Sequence, residues 1–171
     1  MIATLGQIVE GYVVIFPKEH YACIGEMPEE AINELIGLKD EFDRRITSKY
    51  SRPIHFEHGV AGQTVLHAHL HLIPFPSEKD MLERVSKRFP YNVEISSLVE
   101  LRTIWKERGV YAYYEKNDKK YAFFTDLHPG HGRDDSASEL GVPERGNWRN
   151  VPRDLDWILI RKTVQNLKKQ D

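Results

Sequence analysis

A single cysteine, Cys23, among 171 residues leaves no internal disulfide and no Cys-rich zinc module to hold the fold, and it points to a cytoplasmic setting. No apolar run approaches the ~20 residues that a membrane-crossing helix needs, so the membrane is not an expected partner. Residues 1–6 have neither the basic nor the apolar stretch of a signal peptide. An excess of one charge is also missing: 24 Lys+Arg stand against 26 Asp+Glu, for a formal net charge of −2. Bulk electrostatics therefore give no reason to expect nucleic acid as a partner. There is no internal repeat and no low-complexity linker. With 40% hydrophobic and 29% charged residues, the chain has enough apolar surface to form a core. Its length suits one domain with a C-terminal appendage.

What is present begins with a readable order of elements. Residues 11–16 form a β-branched and aromatic run that Pro17 stops, which predicts a buried strand. Residues 28–50 predict a helix with Pro28 at its first position, Glu29 and Glu30 favoured by the helix dipole, and an apolar stripe of Ile32, Leu35, Leu38, Phe42 and Ile46. Residues 54–58 and 64–73 read as strands, the second ended by Pro74 and Pro76. Ser77 is placed to cap a helix carrying Met81, Leu82, Val85 and Phe89. Ser97 with Glu100 has the spacing of a capping box for a helix that stops at Gly109. Residues 110–114 and 121–124 flank a polar turn and read as a hairpin. A loop rich in Gly, Asp and His follows. A last helix from Asp154 has Trp157, Ile160, Val164 and Leu167 on one face.

Eight histidines are many for this length, and three occur in alternation: His67-Ala68-His69-Leu70-His71-Leu72-Ile73-Pro74. On a strand, alternate side chains share a face, so His67, His69 and His71 present one row of imidazoles while Leu66, Ala68, Leu70 and Leu72 pack. Three aligned imidazoles are poor core material, because each needs polar partners. Three readings are open. The rings are solvated or satisfied structural histidines. Alternatively, two of them hold a metal. His67 and His71 would stand about 13 Å apart at ~3.3 Å per residue, so all three cannot share one ion, and a further ligand from His55, His58, His128 or His131 is required. The third reading is nucleophilic: a neutral imidazole attacks phosphorus, and its neighbours orient it, steady an anionic oxygen or protonate a leaving group.

The run from Gly62 to Pro74, Gly-Gln-Thr-Val-Leu-His-Ala-His-Leu-His-Leu-Ile-Pro, resembles the motif of the histidine-triad (HIT) family, His-φ-His-φ-His-φ-φ with φ apolar. Upstream, the run from Gly11 to His20, Gly-Tyr-Val-Val-Ile-Phe-Pro-Lys-Glu-His, is similar to the family's "GHxLVIPKxH" strand. Phe56-Glu57-His58-Gly59 resembles the "FEHG" of a branch that carries a C-terminal extension. Arg133, Ala137, Leu140-Gly141, Pro143 and Trp148-Arg149 match that branch's downstream signature.

The resemblance implies an α+β, HIT-like fold: a curved antiparallel sheet of about five strands with a packed helix, and a C-terminal α/β extension. The corresponding division is a HIT-like domain at 1–76 and an extension at 77–171 packed on it. It implies a nucleotide hydrolase or nucleotidyltransferase that cleaves a phosphoanhydride or phosphoramidate. The substrate would be a dinucleoside polyphosphate or a nucleoside phosphoramidate. His69 would form a covalent nucleotidyl-histidine (a phosphohistidine intermediate), with His67 and His71 flanking it. Gln63 and Thr64 match positions that touch phosphate, and Gly62 lets the backbone approach an anion closely. His20 matches a position beside the triad, and His58 stands near the place where relatives bind ribose or phosphate. No metal and no cofactor is required by this chemistry, and a homodimer is the expected assembly. Related transferases place Gln at the third triad position, so His71 favours hydrolysis. Members of the family carry about thirty or more residues before this strand and only ten precede Gly11, so the expectation is a base pocket that is incomplete, supplied by the C-terminal extension or a partner, or lost from a truncated reading frame. The competing classes are a non-catalytic nucleotide-binding or interaction module and a metal-dependent histidine-site enzyme.

Overall fold

Six antiparallel strands in the order β1-β3-β2-β5-β6-β4 make one sheet, and helices cover both of its faces. The computed structural model describes residues 2–60, 62–79, 81–124 and 131–168. In chain order the elements are β1 (Val13–Ile15), α1 (Glu29–Lys49), β2 (Pro53–Glu57), β3 (Leu70–Pro74), α2 (Met81–Arg88), β4 (Asn92–Ile95), α3 (Leu101–Arg108), β5 (Ala112–Lys116), β6 (Lys119–Phe123), α4 (His131–Glu139) and α5 (Arg153–Leu167). The architecture is the expected α+β type.

The sheet has one strand more than the sequence suggests. The addition is β4, an edge strand whose residues Asn92 to Glu94 are exposed. Polar and apolar residues do alternate over Asn92–Ile95, but across only four residues, the shortest run in which such a signal can be read, and Val93 stays exposed. The sheet is continuous from β2 into β5, through the register Phe56↔Tyr114. Residues beyond 77 thus supply half of its strands. The β5–β6 hairpin turns through Asn117 and Asp118, both at positive φ (51° and 68°), as a two-residue turn of this hand requires.

Alternation along the strands separates two cores. Val13, Ile15, Leu70 and Leu72 point to one face, where Ile32, Leu35, Phe42 and Ile46 of α1 cover them. Tyr12, Val14, Phe56 and Ile73 point to the other, beneath Met81 and Val85 of α2 and Ala137 of α4. Pro28 caps α1 from outside, with extended backbone, rather than opening it. Leu38, expected in the stripe, is exposed, and Lys39 is buried in its place. Lys39 is held by Asp43 at 3.1 Å and Glu115 at 3.2 Å, which offsets the penalty of burying its charge. The Ser97–Glu100 capping box is present and precedes α3, which ends on left-handed Gly109.

The last helix differs from its apolar reading. Trp157 and Val164 of α5 are exposed, whereas Asp156, Thr163 and Leu167 are buried. The Asp156 carboxylate accepts hydrogen bonds from the backbone N–H groups of Gly6 (2.9 Å) and Gln7 (2.8 Å), and Thr163 Oγ1 accepts one from Gly11 (2.8 Å). The N-terminal segment has buried N–H groups outside the sheet, and they need acceptors. Those acceptors, and not a hydrophobic stripe, decide which side of α5 turns inward.

Among the described residues no helix is long and apolar enough to cross a membrane.

Candidate active site

The triad segment is mostly not a strand. The expected strand at 64–73 shortens to β3, which starts at Leu70, so His67 and His69 lie in the irregular chain before it and only His71 is on the ladder. The cause is next door in β1. Its last pair with β3 is Ile15↔Leu70, and Pro17 has no N–H with which to extend the ladder. The Pro17 carbonyl lies 3.0 Å from His67 Nε2, and Ala68 donates its N–H to the Tyr21 carbonyl at 2.7 Å.

The three rings still converge on one cleft of about 510 Å³. The cleft is lined by polar His58, His67, His69, His71, Thr64 and Arg133 and by apolar Ile2, Leu5, Val14, Phe16, Val65 and Trp148, with the Phe16 ring 6.0 Å from that of His67. The rings of His69 and His71 have centroids 4.7 Å apart. His69 is half-buried. Its Nδ1 lies 2.6 Å from the His67 carbonyl oxygen. A carbonyl can only accept, so Nδ1 carries the proton and Nε2 of neutral His69 keeps its lone pair. Burial pushes the His69 pKa below the usual imidazole value, and the charges of His67 and Arg133 act in the same direction against the hydrogen bond to His67.

His71 is buried and stacked flat on Phe56, with Nδ1 2.5 Å from the Tyr12 hydroxyl. Burial first, then the surrounding rings and Arg133, hold its pKa well below the imidazole range, so it is neutral. His58 is buried with its ring 5.1 Å from His71, 6.3 Å from His69 and 4.9 Å from His131. His131, expected in a loop, is buried on the first turn of α4.

The other anticipated positions divide. Thr64 lines the cleft. Gln63 turns inward, its Nε2 donating to the Ala22 carbonyl at 2.7 Å. Gly62 is backbone packing: a Cβ there would stand 2.9 Å from the His131 ring and 3.2 Å from His58 Cβ. His20 is exposed and lies 2.8 Å from the Leu66 carbonyl, which ties down the turn before the triad. His55 points to the opposite face, 2.7 Å from Asp43. His128 falls outside the described residues. Cys23 is a buried core residue whose thiol is pushed up to about 12 by burial and the nearby Glu57.

Tyr12 and Arg133 were not singled out as site residues, and both line the cleft. Arg133 is buried, yet its hydrogen bonds run only to neutral acceptors: the carbonyls of Gly6, Arg145 and Gly146 and the Tyr12 hydroxyl. No carboxylate among the described residues pairs with it, so its charge is available to an anion in the cleft. Tyr12 gives no sequence signal, because an aromatic next to a glycine at a strand start reads as core. Arg133 carries only a weak one, its place in the C-terminal signature. One more arrangement is present: His58, His69 and His71 each bring a ring nitrogen within 4.8 Å of the others, the only such cluster among the described residues.

The HIT domain family model matches residues 4–77, which include the four histidines that line the cleft. Over 70 residues the chain is 29% identical to adenosine 5′-monophosphoramidase hnt1 of Schizosaccharomyces pombe (strain 972 / ATCC 24843), covering 41% of this chain and 53% of that protein. The chain thus spans about half the length of the curated relative it matches. Triad spacing, cleft geometry and these two matches agree: over residues 4–77 the chain is similar to the HIT domain family.

Proposed function

We propose that this protein hydrolyses nucleoside phosphoramidates, or dinucleoside polyphosphates of the same geometry, through a covalent nucleotidyl-histidine on His69. The observation that carries the reading is the bond from His69 Nδ1 to the His67 carbonyl, which leaves the Nε2 lone pair for attack on the α-phosphorus. Arg133 and the Thr64 hydroxyl are placed for the phosphate oxygens. The aromatic side chains of Phe16 and Trp148, which also line the cleft, suit a nucleobase. Trp148 and Arg133 come from beyond the family match, so the C-terminal extension supplies part of the site. The relative's name specifies a phosphoramidate of adenosine monophosphate, which favours that substrate class. The lone, buried Cys23 is compatible with a cytoplasmic setting. The reading includes no metal or cofactor.

The test is a screen of nucleoside phosphoramidates and dinucleoside polyphosphates with His69→Ala beside wild type. Wild type should turn over and yield an acid-labile nucleotide adduct. The variant should fold normally and do neither. Variant activity within tenfold of wild type would remove His69 as nucleophile.

A second reading, a metal-dependent histidine enzyme, has one observation in its favour: the approach of His58, His69 and His71. Turnover that is lost in EDTA and restored by a single added cation would select it over the first.

A further inference from the structure

Arg133 has donors and no acceptor, and this fixes every proton in the chain of contacts that leads from it to the cleft. Its Nε and Nη2 are held by the Gly146, Gly6 and Arg145 carbonyls. Its Nη1 donates to the Tyr12 hydroxyl oxygen at 2.8 Å. Tyr12 is fully buried, and its O–H has one further neighbour, His71 Nδ1 at 2.5 Å. The reverse arrangement, with His71 Nδ1 donating to Tyr12, leaves a buried hydroxyl proton without an acceptor, at a cost of ~1–3 kcal/mol. Tyr12 therefore donates and Nδ1 accepts. Neutral His71 must then carry its own proton on Nε2. That atom is buried without a protein partner among the described residues. His69 and His71 are thus neighbours in opposite tautomers: one offers a lone pair at Nε2, the other a proton.

We propose that Arg133 and Tyr12 are positioning residues that lock His71 as the Nε2–H tautomer and resupply its proton, so that His71 protonates the leaving group. The proposal rests on the nucleophilic reading of His69. In the step, the His69 Nε2 lone pair forms the bond to phosphorus. The bond from phosphorus to the leaving nitrogen or oxygen breaks, and its electron pair takes the His71 Nε2 proton. The Tyr12 proton moves to His71 Nδ1, so His71 remains neutral, and the phenolate that forms faces the Arg133 guanidinium. When water attacks the adduct, its proton returns through His71 Nε2 to restore Tyr12. The lock bears equally on the cluster with His58: a cation there requires lone pairs on all three rings, and His71 presents an N–H.

Two measurements on Tyr12→Phe test this, with Arg133→Lys as the conservative control. The first is the 15N spectrum of the His71 imidazole in the whole protein. Wild type should show a protonated Nε2 and a bare Nδ1, Arg133→Lys should keep that pattern, and Tyr12→Phe should shift it toward Nδ1–H. A wild-type His71 protonated on Nδ1 overturns the lock, whatever the activity. The second is kcat/KM for a nucleoside phosphoramidate and for a nitrophenyl ester of the same nucleotide. Tyr12→Phe should lower the first roughly a hundredfold, the usual scale of a lost general acid, and the second less than about threefold. Equal losses on both substrates overturn the relay. If His71 shows the Nε2–H pattern but no nucleotide is turned over by wild type, the functional reading fails and the lock stands.

Discussion

The ring of Phe56 lies against that of His71, with centroids 4.2 Å apart and planes 18° from parallel. Tyr12 holds the edge of the imidazole, its hydroxyl 2.5 Å from Nδ1 and its ring centroid 5.8 Å away. These two contacts clamp the ring, and Phe56 in turn sits beneath Gly132 of α4, where a Cβ would come within 2.8 Å of its ring. Phe56→Leu should loosen the clamp. The expected cost in stability is about 1–2 kcal/mol. The expected loss in kcat is larger in proportion, roughly tenfold to a hundredfold, since a misplaced ring of this kind is felt directly in the reaction. Urea unfolding and steady-state kinetics on the same preparations check the pair of effects, and an unchanged kcat would remove the clamp from the mechanism.

The pH dependence follows from His69. Burial holds its pKa below 6.5, and attack requires the neutral ring. Neutral His69 persists to lower pH than a free imidazole, so the acidic limb of kcat/KM should have its midpoint below 6.5. The same shift makes stability fall as pH drops through 6.5, because the unfolded chain takes up the proton that the folded site refuses. A pH–rate profile with its acidic midpoint above 7 would contradict the assignment.

Much of this is legible in the sequence, and where the structure departs from it the causes are particular. The helix 28–50, the hairpin and the capping box were legible because local chemistry decides them: Pro28, Gly109, and Ser97 with Glu100. The row of histidines was legible as a cluster facing one cleft. Its regular alternation was not real, because the ladder that would have continued it is cut by Pro17 on the neighbouring strand, a non-local event. The α5 face departs from its apolar pattern for a similar reason: Asp156 and Thr163 are drawn inward by N–H groups some 150 residues away in sequence. The burial of Lys39 has no local signal, because its partner Glu115 lies on β5.

Asp156 provides a test of how the extension shapes the cleft. It holds Gly6 and Gln7; Leu5 beside them lines the cleft, and the Gly6 carbonyl holds Arg133 Nη2. Asp156→Asn loses the charge and one of two good acceptors. Stability should fall by about 1–3 kcal/mol, and kcat/KM should fall with it, because both a wall of the cleft and the seat of Arg133 are loosened. Thermal unfolding with initial rates over a range of substrate concentrations would show it; an unchanged kcat/KM is the contrary result.

Glu57 allows a separate check, away from the cleft. It is fully buried, accepting from Ile24 N–H at 2.7 Å and from the Tyr111 hydroxyl at 2.7 Å, and burial raises its pKa from 4.5 to about 7. The folded state therefore favours the protonated acid. The stability this group contributes is complete below pH 4.5 and is lost as pH rises through about 7. Glu57→Gln stays neutral throughout, so its stability relative to wild type should improve by about 2–3 kcal/mol between pH 5 and pH 8.5. Denaturant titrations at the two pH values measure the difference, and a constant gap between the proteins would show that Glu57 ionises freely in the fold.

The continuity of the sheet from β2 into β5 has a consequence for how the protein is made. The ribosome delivers His67, His69 and His71 early, while β2 still has an open edge and neither Arg133 nor Asp156 exists. Pairing of Phe56 with Tyr114, and the seating of Gly6 and Gln7 on Asp156, must wait for chain that emerges later. Loop closure over such separations is slow compared with local helix formation. A nascent chain truncated before Arg133 thus holds the three histidines and Tyr12 without the cation that fixes the Tyr12 hydroxyl on His71, and the cleft matures only after most of the polypeptide has left the exit tunnel.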